Sequence, residues 1–418
     1  MIPRALVAVA LVLVPIASRA ADDPAMARAL RVLAAHPVID GHNDLPWAIR
    51  ENEKAPRDVA AYDIRGRAPG DTDLARLRAG HVGGQFWSVY TPGESKYEDY
   101  ARMQLEQIDI ARQIVARYPE LAWGLTADDM DHALRAGRVG SALGLEGGHA
   151  IQNSLGALRA YYDLGVRYMT LTHNVTLDWA DCAAGPARHG GLTKFGEEVV
   201  REMNRLGMLV DLSHVSPETM DDALRVTEAP VIFSHSSAKA LDPVPRNVPD
   251  DILKRVGPNG GVVMVTFVAE FISKASADAN TARDKEIAAL TRDVSDKAEK
   301  ERITREYKAA HPLPPVTLAQ VADHVEHVRK VAGADNVGLG GDYDGNSDWP
   351  EGMGDVTSYP KLFAELARRG WSDEDLGKLA SGNILRAMRQ AEAVARRLRA
   401  ARPPSTATIE QLDGAPGR

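Results

Sequence analysis

Eight short apolar runs, separated by stretches with helical periodicity, are the feature that most constrains the fold of this 418-residue chain. Short continuous apolar runs are typical of parallel strands that are covered on both faces. The segments between them, such as 99–118 and 190–207, carry apolar residues at helical spacing. Eight strands that alternate with helices predict a single closed (β/α)8 TIM-like barrel of the α/β class. The runs are 38–44, 82–90, 141–148, 168–173, 209–214, 231–237, 262–267 and 337–345.

The rest of the chain indicates one catalytic domain, residues 21–400, with additions. Residues 1–20 combine Arg4, an apolar stretch and small residues, which predicts a secretory signal peptide and an exported protein, periplasmic or secreted. A retained N-terminal membrane anchor is the alternative. The charged stretch at about 270–315 predicts a helical insertion in the barrel. Pro, Ser, Thr and Gly accumulate after residue 400, so we expect 401–418 to form a flexible tail.

Charge and cysteine content exclude some classes of function. The formal net charge of −8 argues against a nucleic-acid partner, because phosphate binding requires a basic face. Cys182 is the only cysteine and cannot form a disulfide within the chain. Since no partner for this thiol is evident in the sequence, we interpret it as incidental rather than as a nucleophile or metal ligand.

Six of the eight runs end in residues of the types that bind metals or transfer protons. The active site of such a barrel lies at the C-terminal ends of its strands, where barrel closure brings these side chains into one ring. A single histidine at a strand end has a structural explanation, but the joint pattern predicts a metal site. The residues are His42, Asp44, Glu146, His173, His214, His235 and Asp342.

This ring supplies enough donors for two zinc ions per chain. Zinc prefers nitrogen and oxygen donors, and a catalytic site keeps one position open for water. We assign His42 and Asp44 to one ion, and His214 and His235 to the other, with the Glu146 carboxylate bridging the two. Such a pair, about 3.5 to 4 Å apart, holds a hydroxide near neutral pH, and this hydroxide is the expected nucleophile.

Two residues of the ring remain for other roles. We predict that Asp342 moves the proton from the bridging water to the leaving amine as a general acid/base. Asp344 is the alternative, because residues two apart share a face of an extended chain. His173 is predicted to hydrogen-bond the oxyanion of the tetrahedral intermediate.

Arg246 and two histidines have competing interpretations. Arg246 lies on a proline-rich loop after the sixth run, where a guanidinium can bind a substrate carboxylate bidentately. An ordinary ion pair with Asp242 or Asp250 is the simpler explanation from the residues alone. His324 and His327 imitate a ligand motif, but they lie on a predicted helix, so we interpret them as structural.

Seven segments around these residues resemble the membrane dipeptidases (renal dipeptidase family, peptidase family M19) of the amidohydrolase superfamily. The resemblance implies a zinc-dependent hydrolase of free dipeptides that tolerates a C-terminal D-residue, and some members also open β-lactams. Weaker similarity continues through residues 359–386. The segments, in the family's order, are "VIDGHNDLPW", "GLEGGHAI", "MTLTHN", "LVDLSHVS", "VIFSHSSA", "RNVPDD" and "GGDYDG".

The resemblance also implies roles for individual residues. The family's substrate-binding histidine falls on His173, its carboxylate-binding arginine on Arg246, and its proton shuttle on Asp342. The role for Arg246 thus replaces the simpler ion-pair explanation. The family's metal ligands fall on His42, Asp44, Glu146, His214 and His235.

The expected partners are small dipeptides, with a second copy of the chain as a possible dimer partner, because the family tends to dimerise. Animal relatives carry a lipid-anchor signal at the C-terminus, whereas this sequence lacks a hydrophobic tail, so we expect no stable membrane anchor after signal removal. The alternative activity is another amidohydrolase reaction, either deacylation of N-acyl amino acids or β-lactam hydrolysis. A non-catalytic binding protein is a further alternative, against which the presence of Glu146 and Asp342 argues.

Overall fold

The computed structural model describes residues 23–93 and 99–414 of the chain. The signal peptide predicted for residues 1–20 therefore lies outside the described residues. Within the described ranges the strands pair in parallel throughout. They are β1 (Val38–Asn43), β2 (Val82–Ser88), β3 (Leu121–Trp123), β4 (Val139–Glu146), β5 (Val166–Thr170), β6 (Leu209–Asp211), β7 (Val231–Phe233), β8 (Val262–Val265) and β9 (Val337–Leu339).

Eight of these strands close into a barrel. The order is β1, β2, β4, β5, β6, β7, β8 and β9, and β9 then pairs with β1. The predicted (β/α)8 barrel is confirmed, and each predicted apolar run supplies one barrel strand. The remaining strand, β3, pairs with the first half of β4 on the side that β5 occupies further along. It was not predicted.

Helices cover the barrel, and many of them begin at a capping side chain. Asp73, Thr126, Ser216 and Thr317 each accept a hydrogen bond from a backbone N–H in the first turn of the following helix. No helix of the described chain has the length and apolar run that a membrane span requires. The α-helices are α1 (Pro24–Ala35), α2 (Leu45–Arg50), α3 (Leu74–Ala79), α4 (Tyr100–Arg117), α5 (Ala127–Arg135), α6 (Leu155–Asp163), α7 (Lys194–Leu206), α8 (Pro217–Val226), α9 (Asp250–Asn259), α10 (Lys274–Thr291), α11 (Lys297–Ala310), α12 (Leu318–Ala332), α13 (Tyr359–Arg368), α14 (Asp373–Gly377), α15 (Asn383–Ala401) and α16 (Ile409–Asp413).

Successive strand residues alternate between two apolar clusters, as the two-residue period of a strand requires. In β1, Val38 belongs to the larger cluster, which includes the covering helices, and Ile39 belongs to the smaller cluster. In β7, Val231 and Phe233 lie in the larger cluster, and Ile232 lies in the smaller one. The smaller cluster is the barrel interior. Residues of α15 also pack into it, so this helix covers the N-terminal end of the barrel, opposite the strand ends that carry the predicted site.

The region of the predicted charged insertion contains α10 and α11. α10 packs on the short turn Ala269–Phe271 that follows β8, whereas α11 has no buried residue. The chain after α15 differs from the flexible tail that was expected over 401–418. Up to Gly414 it forms a packed segment, in which α16 buries Ile409 and Asp413 accepts a hydrogen bond from the Thr193 hydroxyl at 2.6 Å.

Candidate active site

The five predicted metal ligands lie together at the C-terminal ends of the barrel strands. His42 is the fifth residue of β1, and Asp44 follows that strand. Glu146 ends β4, while His214 and His235 come shortly after β6 and β7. Among the described residues, the groups whose ligand atoms lie within 4.8 Å of one another are His42 with Asp44 and Glu146, Glu146 with His214 and His235, and His42 with His235 and Asp342.

The Glu146 carboxylate lies between the two sets of histidines. Its Oε2 atom is 3.5 Å from His42 Nε2. Its Oε1 atom is 3.1 Å from His214 Nε2 and 3.4 Å from His235 Nε2. Asp44 Oδ2 is 3.3 Å from the same His42 nitrogen. The two oxygens of one carboxylate therefore face two separate groups of donors, which is the arrangement that a bridging ligand requires.

A tyrosine inside the barrel orients His42. The Tyr168 hydroxyl donates to the Gly41 carbonyl at 3.1 Å, and its oxygen is 2.7 Å from His42 Nδ1. Because the single hydroxyl proton goes to the carbonyl, Nδ1 must carry a proton and donate it to Tyr168. His42 Nε2 then faces the ring of donors with its lone pair, and it is a buried nitrogen without a hydrogen-bond partner among the described residues. Hydrogen bonding of this kind fixes metal-binding histidines in other proteins.

Hydrogen bonds to Nδ1 also orient the other two histidines, His235 and His214. Ser234 Oγ donates to Asp211 Oδ2 at 2.6 Å, so it accepts the proton of His235 Nδ1 at 2.8 Å. Asn174 Oδ1 accepts from His214 Nδ1 at 3.0 Å. Each histidine thus directs Nε2 toward Glu146.

The donor set fits a pair of divalent ions. His214 Nε2 and His235 Nε2 are 2.9 Å apart, and both present lone pairs, so they cannot hydrogen-bond to each other. A cation held by both histidines and Glu146 would resolve this contact. Nitrogen and carboxylate oxygen donors in this number are the ligands that zinc prefers.

Burial and mutual charge shift the pKa values in the ring. Burial lowers the pKa of His214 and His235 far below the usual range, and the positive charge of Arg246 lowers it further. Burial opposes protonation of His42 too, but the adjacent Tyr168, Glu146 and Asp44 raise its pKa well above the usual range. The groups around His42 therefore favour a positive charge at this position, either a proton or a metal cation.

Asp342 lies beside the ring, whereas Asp344 faces away from it. Asp342 Oδ1 is 3.9 Å from His42 Nε2, and burial followed by the charges of Asp44 and Glu146 raises its pKa well above the usual range, although His42 opposes this shift. Asp344 Oδ1 accepts instead from the backbone N–H of Asp71 at 2.8 Å. The geometry therefore favours Asp342 of the two alternatives.

The backbone around these residues is unusual. His214 and Asp342 both have φ of 65°, a left-handed conformation that is uncommon for residues other than glycine. Such conformations persist where surrounding contacts hold them, and they concentrate at functional sites. Here two backbone hydrogen bonds connect the segment after the last strand to the end of the first strand. Asp342 N donates to His42 O at 3.2 Å, and Asp44 N donates to Tyr343 O at 2.8 Å.

A cavity of about 280 Å³ opens above the ring, and Arg246 lies in its wall. The Arg246 guanidinium donates to Ser236 Oγ and to the His235 carbonyl, both at 3.2 Å, and lies 5.1 Å from the centre of the Phe271 ring. Burial lowers its pKa to about 10. In addition to Arg246 and members of the ring, the wall contains Trp47, Tyr90, His173, Asn174, Val268, Glu270, Phe271, Gly345 and Asn346.

The alternative ion pairs of Arg246 do not form among the described residues. Asp250 pairs with His327 at 2.7 Å, and both carboxylate oxygens of Asp242 are buried without a hydrogen bond in the described chain. The guanidinium instead faces the cavity, where a carboxylate of a ligand can reach it.

His173 contacts the ring without joining a ligand group of the described residues. Its Nε2 is 3.9 Å from Glu146 Oε1, and its ring centre is 4.3 Å from that of His214. It lines the cavity, so it can contact a bound molecule. Cys182 and His324 lie buried away from the cavity wall, where His324 connects Ala238 N with the Ile272 carbonyl.

Sequence reasoning missed the residues that orient the histidines, namely Tyr168, Asn174, Ser234 and Asp211. Two signals were available, because Asn174 directly follows His173 and Ser234 directly precedes His235. Tyr168 gave a weaker signal, since an aromatic residue in a strand is ordinarily explained by packing. Glu270 in the cavity wall was missed as well.

Comparison with known proteins shows the family of the chain. The family model described as "Membrane dipeptidase (Peptidase family M19)" matches residues 26–402. The probable dipeptidase PvdM from Pseudomonas aeruginosa has 22% sequence identity and a TM-score of 0.76, with 89% of this chain and 99% of that chain covered. The dipeptidase AC, described as a metallopeptidase of family M19, has 24% identity and a TM-score of 0.69, with 85% and 98% covered.

A third similar structure contains a ligand. It is a metallopeptidase from Rhodobacter sphaeroides with a phosphinate mimic of the dipeptide L-Ala-D-Ala, at 24% identity and a TM-score of 0.68, with 85% of this chain and 99% of that chain covered. At these identities the structures establish a shared fold. The family model shows more than a shared fold, because it matches the sequence over a range that includes every residue of the ring. The chain therefore belongs to the membrane dipeptidase family, peptidase family M19, and is a metallo-dipeptidase.

Proposed function

We propose that this protein uses two zinc ions to hydrolyse the peptide bond of free dipeptides, including those with a C-terminal D-residue. The main support is the Glu146 carboxylate, whose two oxygens face His42 on one side and His214 with His235 on the other. The Rhodobacter sphaeroides metallopeptidase of the same fold holds a mimic of L-Ala-D-Ala, which supports the D-residue part of the proposal.

In this proposal His42 and Asp44 would hold one ion, His214 and His235 would hold the other, and Glu146 would contribute to both. When bound, such a pair polarises the scissile carbonyl and lowers the pKa of a water molecule toward neutrality. The hydrogen bonds to Tyr168, Asn174 and Ser234 keep each histidine in the tautomer that this binding needs.

Asp342 performs the proton transfers. Its raised pKa, which comes first from burial, allows its carboxyl group to take a proton from the attacking water and hold it. The same carboxyl then protonates the amine that leaves when the peptide bond breaks.

His173 and Arg246 position the substrate. Arg246 binds the C-terminal carboxylate of the dipeptide with a guanidinium that is buried in the cavity wall. His173, which also lines the cavity, donates a hydrogen bond to the oxygen of the scissile carbonyl as negative charge develops there. A cavity of about 280 Å³ suits a dipeptide rather than a longer chain.

The first experiment is to measure metal content and hydrolysis on the same purified protein, before and after chelation. The panel is L-Ala-L-Ala, L-Ala-D-Ala and an N-acetyl amino acid. We expect about two zinc ions per chain and cleavage of both dipeptides that the chelator abolishes and zinc restores. Cleavage of the N-acetyl compound alone would assign the site to deacylation, and absence of bound metal would refute the mechanism.

We also propose export after removal of residues 1–20, and a homodimer in solution. The expected results are a mature N-terminus near residue 21 in protein recovered outside the cytoplasm, and a mass of two chains by light scattering. A chain that keeps its first residues, or a mass of one chain, would contradict the corresponding proposal.

A further inference from the structure

One carboxylate in the cavity wall has no role in the proposed hydrolysis. The wall contains Asp44 and Glu146, assigned to the metals, Asp342, assigned to proton transfer, and Glu270. Glu270 lies in the turn Ala269–Phe271 that follows β8. Within the described chain its carboxylate forms no ion pair with Lys, Arg or His. It therefore offers the cavity a negative charge that no neighbouring side chain of the described residues neutralises directly.

The insertion helix α10 holds Glu270 in position. Asn280 of α10 donates a hydrogen bond to the Glu270 carboxylate. Arg283, one turn further along, donates to Asn280 Oδ1 at 2.7 Å and pairs with Asp348 at 2.8 Å. The Asp348 carbonyl accepts from Ala269 N at 3.2 Å, which closes the network onto the residue before Glu270. The charge of Arg283 is thus satisfied by Asp348, and Glu270 receives only a neutral donor.

The charges around Glu270 favour a cation in this part of the cavity. Burial and the negative charges of Asp284 and Asp348 raise the pKa of Glu270, while the Asn280 hydrogen bond and the more distant Arg246 lower it. The surroundings therefore destabilise the ionised form of Glu270, and a positively charged ligand group beside it would stabilise that form.

The order of the strands shows which part of a dipeptide reaches Glu270. This step rests on the proposed function, in which Arg246 binds the C-terminal carboxylate and Asp342 protonates the leaving amine. Arg246 belongs to the loop after β7, and Asp342 follows β9. The C-terminal residue of the substrate must then extend from the end of β9 to the end of β7. The strand between them is β8, and the turn after it carries Glu270.

We propose that Glu270 is a specificity-determining residue that selects dipeptides whose C-terminal residue has a cationic side chain, such as lysine, ornithine or arginine. The α-ammonium group of the substrate belongs to the N-terminal residue, which lies on the other side of the scissile bond from the leaving residue. Glu270 therefore recognises the side chain of the leaving residue, and α10 contributes to specificity by holding Glu270 in place.

The test compares substrates that differ only in charge at the end of the C-terminal side chain. We would measure kcat/KM for L-Ala-L-Lys and L-Ala-L-norleucine, and for the corresponding C-terminal D-residues, with L-Ala-L-Ala as the reference dipeptide. In the unsubstituted protein we expect the lysine substrates to exceed the norleucine substrates by about tenfold or more, as one charge-assisted hydrogen bond provides.

Glu270→Gln should bring this ratio close to one. Glutamine can still accept the hydrogen bond from Asn280, so the substitution removes the charge and keeps the network. Glu286→Gln, a matched change at an exposed position of α10, should leave the ratio as it is. Inhibition by free lysine relative to free norleucine gives a second readout that does not depend on the chemical step, and we expect the preference for lysine to disappear in Glu270→Gln.

Three outcomes would overturn the proposal. One is a lysine to norleucine ratio near one in the unsubstituted protein. Another is a ratio that Glu270→Gln leaves unchanged because both substrates are affected equally, which would place Glu270 at a group common to all dipeptides. The third is a protein that binds metal but cleaves no dipeptide, including L-Ala-L-Ala, in which case the proposed function fails and this inference fails with it. Cleavage of L-Ala-L-Ala therefore separates the two kinds of failure.

Discussion

Removal of the Tyr168 hydroxyl tests whether the barrel interior prepares His42 for metal binding. In Tyr168→Phe the Nδ1–H of His42 loses its acceptor, and the Gly41 carbonyl loses its donor. Both groups are buried, so water cannot replace the hydroxyl without entering the packed interior. The imidazole is then free to move its proton to Nε2, where the proton competes with the metal.

The expected loss can be worked out from these two hydrogen bonds. Loss of a residue that orients a metal ligand typically costs about 10- to 100-fold in metal affinity. That range corresponds to about 1.4 to 2.7 kcal/mol. The effect should be confined to the ion held by His42 and Asp44, because His214 and His235 are oriented by Asn174 and Ser234.

The assay is a zinc titration against a competing chelator, fitted for two sites. We expect one site to weaken by the stated factor and the other to stay nearly unchanged. Tyr118→Phe is the matched control, because the buried Tyr118 hydroxyl also accepts one hydrogen bond, from Ile64 N, and donates one, to Asp63, away from the cavity. The control should lower stability without affecting zinc. Equal zinc affinities in Tyr168→Phe and the unsubstituted protein would refute the orientation argument.

Asp342, Arg246, Gly144 and the metal content of the site can each be tested separately. Asp342→Asn should keep its zinc but lower kcat for L-Ala-L-Ala by about 100- to 10,000-fold, and a kcat near normal would remove Asp342 from the proton transfers. Arg246→Lys should raise KM for L-Ala-L-Ala by about tenfold or more with a smaller change in kcat, because lysine cannot bind a carboxylate bidentately; an unchanged KM would contradict carboxylate binding. Gly144→Ala should lower the free energy of unfolding by about 1–3 kcal/mol and also weaken zinc binding at His42, because a Cβ at this position would lie 2.0 Å from Tyr168 Cζ. Denaturant unfolding measures the loss of stability. Gly156→Ala is the control, because its Cβ would have no neighbour closer than 3.5 Å. Chelation should lower Tm, and zinc at about 1,000 times its Kd should restore about 4 kcal/mol of stability; a Tm that does not respond to metal would show that the ring does not bind it.

The barrel could be predicted because its strands are recognisable from their own sequences. Each of the eight barrel strands is buried and largely apolar, and residues of catalytic type lie at or just beyond the ends of six of them, so strand positions and site residues were predicted together. β3 escaped because the apolar run Leu121–Trp123 is bounded directly by Glu120 and Gly124, and because it pairs outside the closed ring. Such a short apolar run cannot be distinguished from a loop or a helix segment by periodicity.

Other features depended on contacts between distant residues. The sequence could not decide whether Arg246 pairs with Asp242 or Asp250 or faces the cavity, because that depends on how the loop after β7 folds back over the ring. The sequence alone could not decide between Asp342 and Asp344 as the proton-transfer residue. In the structure both have a left-handed backbone, and Asp342 faces the ring whereas Asp344 faces Asp71. The segment 402–414 looked disordered because of its prolines, yet Thr408 and Gln411 form a capping box whose spacing is visible in the sequence.

The backbone contact between the first and last strands also sets an order of assembly. A chain synthesised from its N-terminus contains all five proposed metal ligands once residue 235 has been made. The hydrogen-bonding partners of His42 O and Asp44 N, however, are the backbone groups of Asp342 and Tyr343. Two ligands thus stay unfixed until the ninth strand has been made and has joined the first. In the proposed two-metal site, capture of both ions is therefore linked to closure of the barrel, because His42 and Asp44 are fixed only once the last strand has joined the first.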